Sequence, residues 1–193
     1  MQHHFFAMLS RMKYIFRWSL MRNTRTENVC EHTQEVTVIA HALALLHNKR
    51  FGGNVNVEHC VLLSMYHDVP EILTGDLPTP VKYNDVAIRD EYRRVERLSA
   101  ERLLRQLPPD LEEDYRPLLL PDEADETELR IVKAADKLSA LIKCIEELKA
   151  GNHEFQKARL STEKSIREMK LPAAECFLEE FVPSFELTLD EQG

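Results

Sequence analysis

Glycine is scarce: the 193 residues hold five, and only Gly52-Gly53 stand together, followed by Asn54 as in a turn. That scarcity argues against a turn-rich β fold, and no Walker-type or Rossmann-type glycine spacing occurs to cradle a phosphate. Paired cysteines are missing as well. Cys30, Cys60, Cys144 and Cys176 lie far apart without a Cys-x-x-Cys pair, which fits a reduced, intracellular protein better than a disulfide framework. No apolar run approaches the roughly 20 residues that cross a bilayer, so no membrane segment is expected. A basic excess is lacking too: the formal net charge is −8, and such a surface does not invite nucleic acid. An acidic protein can still act on an anionic substrate where a metal and one or two arginines reverse the field locally.

What is present reads as helix. With 44% apolar and 30% charged residues, the composition is that of an ordinary globular protein. The length favours one domain over residues 1–193 with a core that needs no staples. Met1 to Thr26 carries Arg11, Lys13, Arg17, Arg22 and Arg25 and no acid, the charge bias of a transit peptide. Phe5, Met8, Leu9, Met12 and Phe16 fall at helical spacing there, however, and Ser and Ala are few, which favours a packed first helix.

Farther on, Val36, Ile39, Ala40, Leu43 and Leu46 predict a helix from Glu31 to about Asn48, with Asn28 and Glu31 suited to its start. A second helix is expected over Val57–Tyr66 with Val61, Leu62 and Met65 inward, and then Pro70 opens a new turn or kinks the old one. The stretch Thr74 to Pro80 is a loop by composition. A charged helix from about Asp85 to Gln106 would bury Tyr92, Val95, Leu98 and Leu103 before Pro108-Pro109 stops it. Glu123 to Ala150 reads as one long helix, closed by Gly151-Asn152. One or two more follow, with Phe177, Phe181 and Phe185 at four-residue steps. The fold class is all-α, a helical bundle with any site between core helices.

His67-Asp68 ends the apolar run from Cys60 to Tyr66, and the dipeptide alone is a weak signal. His32 and Asp136 give it company. Asp136 follows Val132 by four residues and precedes Ala140 by four, which puts a carboxylate on an apolar face. A buried, unpaired carboxylate costs several kcal/mol, so a partner is expected. Either a cation shared with two histidines or a bridge to Lys133 or Lys137 would serve. Two imidazoles and two carboxylates suit a borderline divalent ion such as Mn²⁺, Co²⁺, Fe²⁺ or Zn²⁺. Cys30, two residues before His32, offers a thiolate without a second cysteine to support it. His41 lies nine residues from His32, about half a turn around a helix, and cannot share its site. His47, His59 and His153 stand beside helix ends or turns and are expected in solvent.

The pattern His32, His67-Asp68, Asp136 resembles the metal signature of the HD superfamily. Arg17-Trp18, Arg22 to Val29, Glu31-His32, Thr74 to Pro80, Lys143-Cys144, Glu146 to Leu148 and Phe181 to Phe185 are further similar to the bacterial 5′-deoxynucleotidase family. That resemblance covers essentially the whole chain. It implies hydrolysis of 2′-deoxyribonucleoside 5′-monophosphates by a cytoplasmic helical homodimer with one divalent metal per subunit, Co²⁺ or Mn²⁺ before Zn²⁺ or Fe²⁺. His32, His67, Asp68 and Asp136 would hold the metal, with His32, Asp68 and Asp136 also bordering the substrate. Glu71 would position or deprotonate the attacking water, provided that Pro70 does not swing it away. Arg17 would orient the phosphate. Trp18 and Asp76-Leu77-Pro78-Thr79 would hold the nucleoside.

Several residues keep two readings. Trp18, the only tryptophan, can stack on a base or serve as a core aromatic. Asp76 can accept a bond from the sugar 3′-OH or simply cap a turn. Arg22 and Arg25 extend a phosphate field or pair with acidic helices. The acidic runs Glu112-Glu113-Asp114 and Asp122 to Glu128 read as solvated surface or helix N-terminal charge. Other HD activities, on triphosphates or guanosine polyphosphates, are disfavoured by the lack of a Lys/Arg cluster. A non-catalytic module with a structural metal is the alternative from another class.

Overall fold

Asn28 starts the organising helix. Its side chain accepts the Glu31 backbone N–H at 3.0 Å while the Glu31 carboxylate takes the Asn28 N–H at 3.2 Å, a reciprocal capping box. In the computed structural model, which describes residues 2–78 and 85–193, the elements run α1 (Phe5–Leu9), α2 (Val29–Arg50), α3 (Val57–Tyr66), α4 (Glu71–Thr74), α5 (Val86–Leu104), α6 (Pro109–Leu119), α7 (Glu126–Lys149), α8 (Gln156–Glu168) and α9 (Pro172–Glu180). Short 3₁₀ turns join them. No strand occurs among the described residues, which hold one isolated bridge between Phe16 and Asn28.

Two apolar cores form. The larger packs α2 against α7, with Leu43, Leu138, Ile142 and Ile145 at its centre, and is closed by Ile166, Phe177 and Leu178 from the last helices. The smaller gathers Phe5 and Met12 onto Leu103, Leu104, Leu107 and Leu119 and reaches Val29 and Val69 beside the histidines. The basic N-terminal segment therefore packs as expected, though as a five-residue helix and a 3₁₀ turn (Ser10–Tyr14), with Phe16 beyond them and exposed. None of the described helices is long and apolar enough to cross a membrane.

Several expectations change. In α3 the buried residues are Cys60, Leu63 and Ser64, while Leu62 and Met65 face outward and Val61 is half-buried. In α5 the buried residues are Ser99, Ala100, Leu103 and Leu104; Val95 and Leu98 are exposed because only the last turns reach the smaller core. Helix α5 does end at Leu104, before Pro108-Pro109, but Pro109 then opens α6, an unexpected helix, at a first-turn position where its missing N–H costs no hydrogen bond. Phe181 is exposed. His59 is not solvated but bonds Asp125 through Nε2 at 2.8 Å. His47 lies against Gly53, where a Cβ would come within 2.2 Å of its ring, so any other residue there would have to displace that ring.

Candidate metal centre and phosphate pocket

His32 sits one turn inside α2 and is wholly buried. Nδ1 lies 3.0 Å from the Ser139 hydroxyl, and Nε2 lies 3.2 Å from Asp136 Oδ1 and 3.6 Å from Asp68 Oδ2. His67 follows the last residue of α3. Its Nδ1 donates to the Ser64 carbonyl at 2.7 Å, which leaves Nε2 facing Asp68 Oδ2 at 3.2 Å. The two rings are 5.6 Å apart at their centroids, and ligand atoms of His32, His67 and Asp68 lie within 4.8 Å of one another.

This donor set fits a divalent cation. Among the described residues both Nε2 atoms are buried without a hydrogen-bond partner; both face Asp68, and that of His32 also faces Asp136, which stands outside the close group of His32, His67 and Asp68. The field has the required sign as well. Burial pulls His67 down, yet Asp68 and Asp136 outweigh it and hold the imidazole above its ordinary value. Burial raises Asp68, but His67, His32 and Arg17 bring it well below the carboxylate range. Asp136, opposed likewise by burial, falls to about 2 through its bond to His32 and the charge of Arg17. A site that favours positive charge at each neighbouring group also favours a cation. Asp136 is less buried than its helix face suggested, with 39% of its side chain accessible, so it borders the open side of the site. Among the described residues its ion-pair partner is His32, not Lys133 or Lys137. Cys30 is exposed and takes no part.

Between His67 and Glu71 the chain tightens into i→i−3 bonding: Val69 N–H to the Tyr66 carbonyl at 3.2 Å, and Glu71 N–H to that of Asp68 at 3.0 Å. The α-helix does not continue through Pro70, which lacks an N–H and caps α4 instead. Three residues per turn nevertheless align positions i and i+3, so Asp68 and Glu71 share a face. Glu71 is 6% exposed.

Arg17 enters from the N-terminal segment, with 11% of its side chain accessible. One terminal nitrogen is 3.4 Å from Asp68 Oδ2, and Nε is 3.4 Å from Glu27 Oε2. Both separations exceed the 2.7–2.9 Å of a tight charged pair, so the guanidinium is held in place without being consumed. Burial lowers its pKa, but Asp68, Asp136, Glu27 and Asp76 together raise it above the ordinary value. Asp76 is thus within electrostatic reach of Arg17, after Gly75 turns the chain at φ 73°. The Tyr92 hydroxyl donates to the Gly75 carbonyl at 3.1 Å and fixes that turn. Leu77 and Pro78 are half-buried, and Thr79 lies outside the described residues.

Sequence reasoning passed over Glu27. Its Oε2 accepts the Trp18 indole N–H at 2.9 Å, and its backbone carbonyl accepts the Arg17 N–H at 3.0 Å. One residue therefore sets both Arg17 and Trp18. Trp18 adopts φ 59°, a left-handed conformation costly for an aromatic residue, and stacks at a tilt on Phe155 with centroids 5.2 Å apart. Glu147 was also missed as an anchor. Buried on α7, it accepts Thr24 N–H at 2.9 Å, Thr24 Oγ1–H at 2.7 Å and Asn152 Nδ2–H at 2.8 Å, and it pairs with Lys143. The side chains of Arg22 and Arg25 are exposed, so what this anchor reads in the 22–25 stretch is backbone and Thr24.

Helical architecture and a His, His-Asp, Asp centre define an HD-domain metal-dependent phosphohydrolase. Residues 4–185 match the model of the YfbR-like 5′-deoxynucleotidases, and the chain belongs to that family. It is 51% identical over 188 residues to a 5′-deoxynucleotidase of Vibrio vulnificus, covering 97% of each chain. It is 52% identical to one of Photorhabdus laumondii, covering 97% of this chain and 95% of that one. Among solved structures, an HD-domain phosphohydrolase of Listeria innocua superposes with a TM-score of 0.82 at 26% identity, over 94% of this chain and 88% of that one. The fold is shared more distantly, at 20% identity and a TM-score of 0.66, with a cyanophage S-2L HD phosphohydrolase bound to dA and one catalytic Zn²⁺. That alignment covers 94% of this chain and 96% of the phage protein.

Proposed function

We infer that this chain is a phosphoric monoester hydrolase that cleaves 2′-deoxyribonucleoside 5′-monophosphates to deoxynucleoside and phosphate. The observation that carries this reading is the approach of Arg17, 3.4 Å from Asp68, to a centre where ligand atoms of His32, His67 and Asp68 lie within 4.8 Å of one another and Asp136 stands 3.2 Å from His32. His32, His67, Asp68 and Asp136 would hold one divalent ion, Co²⁺ or Mn²⁺ first and Zn²⁺ or Fe²⁺ next. When bound, the ion supplies Lewis-acid neutralisation of the phosphoryl oxygens.

The remaining work falls to the chain. Arg17 orients the phosphate through its planar fork, which a flexible ammonium would not match. Glu71, buried beside the centre, receives a proton from the attacking water. Trp18, fixed by Glu27 and Phe155, presents an aromatic wall to the nucleoside. Asp76 accepts a hydrogen bond from the sugar 3′-OH, and Leu77 and Pro78 border the sugar and disfavour a ribose 2′-OH by fit. His32, Asp68 and Asp136 border the same space. The reading includes one domain over residues 1–193 and a cytoplasmic homodimer. Dimerisation rests on the family resemblance, and the free state of all four cysteines suits a reducing compartment.

Phosphate release from paired deoxyribo- and ribonucleoside 5′-monophosphates, with Co²⁺, Mn²⁺, Mg²⁺ and Zn²⁺ in turn, tests the substrate. Release from the deoxy member of each pair alone is expected. Equal rates on both sugars would remove the deoxy specificity and spare the hydrolase.

A further inference from the structure

The two histidines of the centre are backed differently. His67 donates Nδ1–H to a main-chain carbonyl, whereas the Nδ1 of His32 meets a side chain, Ser139 of α7, at 3.0 Å. Ser139 is wholly buried, and its hydroxyl donates to Glu35 Oε2 at 2.5 Å. A serine has one proton. With that proton committed to Glu35, the Ser139 oxygen can only accept, and His32 must supply the hydrogen from Nδ1. The other polar group near this nitrogen is Glu27 Oε1, at 3.8 Å, which as a carboxylate also accepts. The described polar groups around Nδ1 therefore keep a hydrogen on that nitrogen, so the nitrogen left to give up its proton to a cation is Nε2, which faces Asp136 and Asp68.

We propose that Ser139 and Glu35 are positioning residues that fix the tautomer and orientation of His32 and thereby set the cation affinity of the centre, an inference that rests on the metal reading above. Neither touches substrate. Without the Glu35 acceptor, the Ser139 hydroxyl would turn its proton toward His32 Nδ1 and favour the Nε2–H form, whose hydrogen occupies the ligand position. Outer partners of metal-bound histidines typically contribute about 10- to 100-fold in affinity.

The test measures Mn²⁺ binding by the electron-paramagnetic signal of the free ion, with circular dichroism and melting of each metal-free protein as the control for folding. Ser139→Ala and Glu35→Met are expected to weaken Mn²⁺ by about 10- to 100-fold, while Glu35→Gln, whose amide oxygen still accepts from Ser139, stays within about threefold of wild type. Long-range ¹⁵N–¹H spectra of metal-free wild type should show a proton held on His32 Nδ1, with loss of that proton in favour of Nε2–H in Glu35→Met. A purely structural role would lower the melting temperature and leave both readouts unchanged. Affinities of Ser139→Ala and Glu35→Met within twofold of wild type, or a wild-type His32 without a proton on Nδ1, would overturn the proposal. If Ser139→Ala does not fold, the Met and Gln variants of half-buried Glu35 decide it. Failure of wild type to bind any divalent ion would count against the metal centre instead, since the tautomer is read without metal.

Discussion

Glu147 offers a quantitative test of how the N-terminal segment is held over the site. Its side chain is 1% exposed and carries four kinds of donor: the Thr24 hydroxyl, the Thr24 and Arg25 backbone N–H groups, the Asn152 amide and the Lys143 ammonium. Glu147→Gln preserves the shape. It also turns an amide NH₂ toward donors and leaves Lys143 buried with the Arg25 carbonyl, at 2.5 Å, in place of a counter-charge. Breaking a buried pair from one side costs about 3–5 kcal/mol. An independent route gives a similar size. Burial raises the Glu147 carboxyl, but Lys143, Asn152 and Thr24 outweigh it and bring it from 4.5 to about 2, which corresponds to about 3 kcal/mol.

A depressed carboxyl stabilises the fold above its unfolded value and loses that contribution as pH falls through the folded one. The contribution of Glu147 is therefore complete above about pH 4.5, fades toward pH 2, and at pH 3 is about 1 kcal/mol. Thermal melting of wild type and Glu147→Gln at pH 7 should differ by about 6–20 °C, taking 2–4 °C per kcal/mol for a domain of this size. The gap should shrink to less than half by pH 3. A difference under about 2 °C at pH 7, or one that does not narrow with acid, would refute the assignment of Glu147 as an ionised anchor.

Two substitutions probe the pocket itself. Arg17→Lys keeps the charge but loses one arm of the fork, so kcat/KM for a deoxynucleoside monophosphate should fall by about 1.5–3 kcal/mol, roughly 10- to 100-fold, with melting temperature unchanged. A loss under about threefold would mean that Arg17 does not grip the phosphate. Glu71→Gln should lower kcat by about 10²- to 10⁴-fold while Mn²⁺ affinity, measured separately, stays near wild type. Unaltered turnover would exclude Glu71 as the base.

Much of this was legible in the residues, and the failures share a physical cause. Asn28 and Glu31 announced α2 because a cap is local chemistry. The phase of α3 was misjudged because Cys60 to Met65 is apolar nearly all round, so periodicity cannot choose a face. Helix α6 was hidden behind Pro109, since the same residue that breaks a helix interior is welcome at its first turn. At the site, the candidate ligands His32, His67, Asp68 and Asp136 stood out through spacing and family resemblance. Glu27, Glu35, Ser139 and Glu147 did not, being ordinary polar residues in charged stretches. A signal existed nonetheless: Asp136, Ser139, Lys143 and Glu147 recur at three- and four-residue steps along α7, a polar stripe on a face otherwise filled by Val132, Ala135 and Ile142. Buried polar side chains in such a stripe need partners, and here those partners are the N-terminal segment and α2.

The most direct measurement is a metal titration of turnover. Protein stripped with chelator and given deoxyadenosine 5′-monophosphate should release no phosphate, recover activity as Mn²⁺ or Co²⁺ is added, and saturate near one ion per chain. His67→Ala should fail to recover under the same titration. Full activity in the stripped protein, or equal recovery in His67→Ala, would contradict a hydrolase built on the pair His67-Asp68.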